Sequence, residues 1–378
     1  MTIITRFHHN SSGASYYFMI TAIIVAGLQL ATVCAYRASH LIEIMPKQVT
    51  LGKAINIVRL SIALSFCWPL PPRSSRKKLF VYKTAQLFAT ISIISLLLPL
   101  LYAMYVRSDD METILLCLSQ VILTTQGIIQ IVICFTKHDT LQRIVEEMYV
   151  CVKEAQQHER EIFNTYLAKC NVIYASYIIG AYAGASIYLW GPILFSLVNI
   201  IHAEYPFDTN RTSISVMVRV HQIVACYQCS SHMCLCVFGG LLIWFTAARY
   251  ECLAVEIQKN TNIRTLTTCI RKQLHLKRYA EDVLACFPYM VLFVIIIATF
   301  FMTLCTIMVV MNTPIMVKIM YVVISIYYFM YLFMYAWPAD NMKDMSLSLP
   351  TSMYNLAWYE KTIRMQKDML NVLTYQKP

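Results

Sequence analysis

The residues best equipped for chemistry are concentrated between positions 221 and 236. Cys226-x-x-Cys229 and Cys234-x-Cys236 lie close to His221 and His232, and thiolate and imidazole at such intervals are the ligands of a tetrahedral zinc site. The surroundings argue against a metal. The stretch is largely apolar and reads as a helix, on which positions 226, 229, 234 and 236 cannot converge on one face. A free Cys in such a place is a small hydrophobe. The other ten of the fourteen cysteines are scattered and spell out no disulfide framework. No phosphate-cradling glycine loop, His-Glu-x-x-His or Gly-x-Ser-x-Gly occurs. The expectation is a chain with no catalytic, metal or cofactor site.

A second set of residues suits binding. Tyr182, Ser186 and Trp190 recur at i, i+4 and i+8, Met217 and His221 are four apart, and Tyr321, Ser325 and Tyr328 follow helical spacing on a third segment. An apolar cavity with a few hydroxyls and aromatic rings fits a small volatile or lipid-like molecule. Packing between helices would account for any one of these residues. Their grouping at similar depth on three segments is what favours a ligand.

The elements that must carry these residues are membrane spans. Hydrophobic residues make up 58% and charged ones 13%, against roughly 25% charged in a soluble domain. Six segments are long and apolar enough to cross a bilayer of about 30 Å: about Leu79–Val106, Met111–Phe135, Lys169–Ile201, Ser215–Ala247, Phe287–Met311 and Ile315–Ala336. Arg107-Ser-Asp-Asp110 and Asn312-Thr-Pro314 are short enough to make hairpins of the spans that they join. Gly180-x-x-x-Gly184 predicts a close helix crossing, and Trp190-Gly191-Pro192 predicts a break or kink. Lys83, Arg219 and Lys318 lie near span ends, where a cation can snorkel to the headgroups.

Basic residues set the orientation. Residues 37–78, 136–170, 248–284 and 337–378 carry eight, five, seven and five Lys or Arg, whereas the intervening connections carry only Arg107 and Arg211. That asymmetry places the basic segments in the cytoplasm and turns the net charge of +11 toward anionic lipid. No aromatic-interleaved basic patch supports nucleic-acid binding. Two regions stand outside the six spans. Residues 16–36 are apolar and long enough for another span or a signal anchor, which would make Asn10 an extracellular sequon. Ser352–Tyr375 is amphipathic, with Tyr354, Trp358, Met365, Met369, Val372 and Leu373 on one face, and is expected to pack on protein or at an interface. Asn210-Arg-Thr212 is a sequon on an outward connection.

The tail resembles a known signature. Ser348-x(5)-Tyr354-x-x-Ala357-Trp358-Tyr359, followed by Tyr375-Gln376-Lys377-Pro378, is similar to the C-terminal pattern of insect odorant receptors. Trp68-Pro69, Tyr205-Pro206-Phe207-Asp208, His221-Gln222 and the run Ile270–Phe287 add to the likeness, which covers about residues 50–378.

The resemblance implies an odorant-gated nonselective cation channel in the plasma membrane of olfactory neurons, formed with a shared co-receptor as a tetramer. It implies a pocket in the outer half of spans two, three, four and six, which adds Leu118 and Ile122 to the residues above. It further implies that Tyr354, Trp358, Met365, Met369 and Leu373 belong to a subunit anchor. The resulting expectation is an all-α integral membrane protein with an atypical extension (1–49), a cytoplasmic segment (50–78) and a receptor-like domain (79–378). Family members run on past Gln-Lys-Pro into a pore-lining span; this sequence ends at Pro378, so the chain as written is expected to give no odour-evoked current. A related gustatory receptor is the nearest alternative. A G-protein-coupled receptor would need the opposite orientation and an Asp-Arg-Tyr after span three, and a transporter would need broken helices and internal repeats.

Overall fold

A computed structural model describes residues 50–72, 74–194, 203–207, 212–259, 263–311 and 315–354, with Ile363, Gln366 and Lys367 of the tail. Among them the protein is helical: α1 (Leu51–Ser61), a 3-10 turn (Ala63–Ser65), α2 (Arg76–Val106), α3 (Met111–Thr136), α4 (His138–Glu154), α5 (Gln157–Leu194), α6 (Thr212–Met233), α7 (Leu235–Lys259), α8 (Ile263–Cys286), α9 (Pro288–Val310) and α10 (Ile315–Tyr354). Among the described residues six stretches are long and apolar enough to cross a membrane, and this is a multi-pass membrane protein. Residues 16–36, Asn210 and most of Ser352–Tyr375 lie outside the described residues.

Local chemistry sets the helix starts. Ser75 Oγ accepts from the Lys78 amide at 3.4 Å, and Asp110 accepts from the Thr113 amide at 3.4 Å and its hydroxyl at 2.5 Å, each satisfying donors that a helix start leaves open. Glu159 Oε2 accepts from the Gln156 amide at 2.8 Å, the acidic half of a capping box. Helix α4 buries Leu141, Ile144, Val145 and Met148 at helical spacing. Large apolar residues remain exposed along α2 (Phe80, Val81, Leu87, Phe88 and Ile91), as a lipid-facing surface requires.

Helix α7 is buried on nearly every side, which marks it as the centre of its unit. Trp244 meets Tyr166 of α5 at 5.5 Å and Trp337 of α10 at 4.9 Å, both edge to face, and Phe238 meets Trp68 at 4.9 Å. Such pairs add about 0.5–1.5 kcal/mol each to the burial they share. At the basic end, Arg249 pairs with Glu147 of α4 at 2.6 Å and stacks over Tyr279 of α8 at 4.7 Å. Residues Val294–Leu332 form a separate compact unit. Within it Phe301 stacks on Tyr328 at 4.8 Å, and Lys318 Nζ donates to the Val309 carbonyl at 3.1 Å.

Several expectations need correction. The fourth span is two helices, α6 and α7, broken at Cys234 and running on to Lys259. The sixth does not stop at Ala336: α10 passes through Pro338 and Pro350 to Tyr354, so Ser352 to Tyr354 belong to that long helix. The third begins twelve residues earlier than expected, at Gln157, and passes Gly191 and Pro192 unbroken; a span tolerates Pro when its surroundings satisfy the freed carbonyl. Gly184 marks no close crossing, since a Cβ there would meet nothing within 4 Å. The close approach is at Gly239 and Gly240, where a Cβ would collide with Tyr335 and with Tyr174 and the Met334 carbonyl. Lys83 and Arg219 are exposed, whereas Lys318 is buried and spends its ammonium on the last turn of α9, a favourable place for a cation.

Candidate ligand-binding site

The segment before α2 does not lie apart from the bundle. Helix α1 and the 3-10 turn enter among α5, α6 and α7, where the Ser61 carbonyl accepts from Tyr182 Oη at 2.6 Å and from Ser231 Oγ at 3.1 Å. Ser231 Oγ also accepts from the Ser65 amide at 3.1 Å. These bonds satisfy the backbone where α1 ends and the chain turns back through Phe66, a non-glycine residue in the left-handed region.

On this base sits a hydroxyl cluster between α5 and α6. Tyr182 and Tyr227 stack with centroids 6.4 Å apart and planes at 21°. Ser186 Oγ donates to the Tyr182 carbonyl at 2.8 Å and lies 3.1 Å from Tyr227 Oη; Ser230 Oγ donates to the Ala181 carbonyl at 3.2 Å. Tyr182, Ser186 and Tyr227 are half-buried. Because the Ser186 proton is committed to a carbonyl, the Tyr227 hydroxyl donates to Ser186 and keeps lone pairs free. The cluster can therefore accept a hydrogen bond from a small molecule that carries an O–H or N–H, with two aromatic faces beside it.

His221 faces another way. Its Nε2 is 3.1 Å from the Ser92 carbonyl and 2.9 Å from Ser95 Oγ, both on α2. A carbonyl only accepts, so Nε2 carries the proton. Six residues separate His221 from Tyr227, which turns them about 120° apart around α6. Above this contact the connection 203–207 is pinned down: Glu204 pairs with Arg107, the Glu204 amide donates to the Pro99 carbonyl at 3.3 Å, and Gln222 Nε2 donates to Tyr205 Oη at 3.3 Å. Burial pushes the Tyr205 phenol up, the Gln222 contact opposing it. Ala203 and Val121 close over Leu96, Leu100 and Ala225.

Tyr182 and Ser186 are brought together, then, but not with His221. Met217 joins neither group; it is 73% exposed. Leu118 and Ile122 are half-buried on α3. Tyr321, Ser325 and Tyr328 are buried within Val294–Leu332, where Ser325 Oγ donates to the Tyr321 carbonyl at 2.8 Å. Trp190 lies on α5. Tyr354 is exposed at the end of α10, and Trp358, Met365, Met369 and Leu373 lie outside the described residues. Sequence reasoning missed Tyr227 and Ser61. Tyr227 had a signal, since Ser230 one turn on shares its face; Ser61 had none, because its role depends on the chain folding back.

A cleft of about 650 Å³ opens near the basic end, lined by Arg59, Trp68, Tyr82, Gln142, Glu146 and Tyr149 among others. None of the ligand candidates lines it. Among the described residues no group of three or more His, Cys, Asp or Glu could hold a metal.

This helical arrangement is similar to that of the insect olfactory receptor OR5 from Machilis hrabei, with a TM-score of 0.72 and 15% identity over 86% of this chain and 89% of that one. The structure of that receptor in complex with eugenol matches with a TM-score of 0.70, again at 15% identity and the same coverage. No curated protein sequence matches the chain. The family model of the 7tm Odorant receptor matches residues 110–377, more than half of the sequence. The chain belongs to the 7tm odorant receptor family.

Proposed function

We propose that the chain detects small hydroxyl-bearing volatiles through the Tyr182–Ser186–Tyr227 cluster, and that it works with the family's co-receptor as a subunit of a ligand-gated cation channel. The observation that carries the reading is the half-buried Ser186–Tyr227 pair, 3.1 Å apart, with a lone pair to spare between two aromatic rings. Family membership supports the odorant class. The basic segments, and with them α4 and α8, face the cytoplasm on the strength of the charge asymmetry. Subunit contact falls to the stretch beyond α10, with Trp358, Met365, Met369 and Leu373 on its apolar face.

The test is binding to the full chain in nanodiscs, read by thermal shift. Eugenol, the compound held in one Machilis hrabei structure, is the first probe, and its methyl ether is the control. Eugenol raises the unfolding temperature, and the ether raises it less because it cannot donate to Tyr227. Equal shifts for both, or none for either, would count against the cluster.

A further inference from the structure

One face of α6 buries polar groups away from the hydroxyl cluster. His232, more than nine-tenths buried, has no hydrogen-bond partner for Nδ1 or Nε2 among the described residues. One turn before it Gln228, equally buried, donates from Nε2 to the Ala89 carbonyl of α2 at 2.9 Å. A carbonyl fixes which end of the amide faces it, so Gln228 Oε1 points away, and it has no partner either. The imidazole nests against α3 because position 127 is glycine: a Cβ there would lie 3.3 Å from His232 Cδ2 and 3.4 Å from Ile93 Cδ1 of α2. Gln126 and Gln130 of α3 and Gln86 of α2 are buried along the same helices. Two residues beyond His232 the helix breaks, with the Cys234 amide bonded to the Ser230 carbonyl at 3.2 Å and the Val237 amide reaching only to Cys234 at 3.0 Å.

We infer that the seam between α2, α3 and α6 is an internal hydration site, in which an ordered water bridges a His232 ring nitrogen to Gln228 Oε1. A water both donates and accepts, so it can meet whichever ring nitrogen faces it, the donor or the acceptor, while donating to the amide oxygen. His232 and Gln228 are i and i+4 neighbours, close enough for one molecule to touch both. Buried polar groups left unmatched in a membrane interior are costly, and bridging water is the usual remedy where protein partners are wanting. The water answers the polar groups of α6 within one turn of its break, where bonds along the helix are already tightened.

Two measurements on the full chain in nanodiscs test this without any ligand, so the outcome is independent of the receptor reading. A cryo-electron-microscopy map of sufficient resolution should show a peak at hydrogen-bond distance from a His232 nitrogen and from Gln228 Oε1. A map without that peak, or with both ring nitrogens bonded directly to protein groups, overturns the site. X-ray hydroxyl-radical footprinting should oxidise buried His232 at a rate near that of exposed His275, because radicals form from the neighbouring water; a His232 left unoxidised overturns it. In His232→Leu the peak should be lost from the map, while His232→Gln should keep it. If the leucine variant fails to fold, the wild-type map and footprint decide alone.

Discussion

Gly240 and Gly184 make opposite demands on a methyl group. In a helix interior, Ala is more stable than Gly by about 0.5–1 kcal/mol, because it restricts the unfolded chain. At Gly184 the new Cβ meets nothing within 4 Å, so Gly184→Ala keeps the whole gain. At Gly240 the Cβ would lie 2.9 Å from the Met334 carbonyl and closer still to the Tyr174 hydroxyl. A backbone carbonyl cannot swing aside, so α7 and α10 must separate, and overpacking of this kind costs about 1–3 kcal/mol. Setting the helix gain against that cost, Gly240→Ala destabilises by about 1–2 kcal/mol. For a chain of this length a kcal/mol moves the unfolding temperature by roughly 2 °C or less. A thiol-reactive dye follows the unfolding, since most described cysteines are buried and all are free. Gly240→Ala should melt about 2–4 °C below wild type, and Gly184→Ala about 1–2 °C above it. A Gly240→Ala protein as stable as wild type would refute the argument that Gly240 sets the spacing of α7 and α10.

Three further outcomes follow from the geometry. Arg249→Met leaves the Glu147 carboxylate, whose side chain is 27% exposed beside an arginine at 17%, with His275 Nδ1 at 3.6 Å in place of the guanidinium; stability should fall by about 1–3 kcal/mol in chemical unfolding, less than for a fully buried pair. Burial pushes the Cys151 thiol up, against the lowering pull of Arg249. Its thiolate is therefore scarce at neutral pH, and maleimide labelling, followed by mass spectrometry, should be slower than for a free cysteine and still be rising above pH 9. Met217→Ala should leave the affinity for any bound volatile unchanged, because that side chain is exposed; a tenfold loss, about 1.4 kcal/mol, would return Met217 to the site.

How much could be read from the sequence depended on the range of the interaction that decided each feature. Spans show in composition because a bilayer demands length and apolarity within one segment; the ends of α2, α3 and α9 fall within a few residues of where hydropathy puts them. Helices α4 and α8 pass unannounced in a hydropathy reading, since they are amphipathic and belong to the protein beyond the spans. The break at Cys234 carries neither Pro nor Gly, so no residue type there announces it. The glycines err in the same way. Gly180-x-x-x-Gly184 matches a motif, but only the partner surface decides whether a small residue is used, and the partner of Gly239–Gly240 lies almost a hundred residues on. Tyr182 and Ser186 were legible from spacing; the pairing of Tyr227 with Ser186 needed the crossing of α5 and α6.

The most direct test of the receptor account crosses the Tyr227 hydroxyl with the ligand's own. Wild type and Tyr227→Phe, in nanodiscs, are each titrated with a small phenol and with its methyl ether. One neutral hydrogen bond is worth about 0.5–1.5 kcal/mol, so the phenol should bind the variant about 2–12-fold more weakly. The ether, which makes no such bond, should bind both proteins alike. Equal affinity of the phenol for both proteins, or an equal loss for phenol and ether, would contradict the assignment of Tyr227 and its partner Ser186 as the point where a ligand is held.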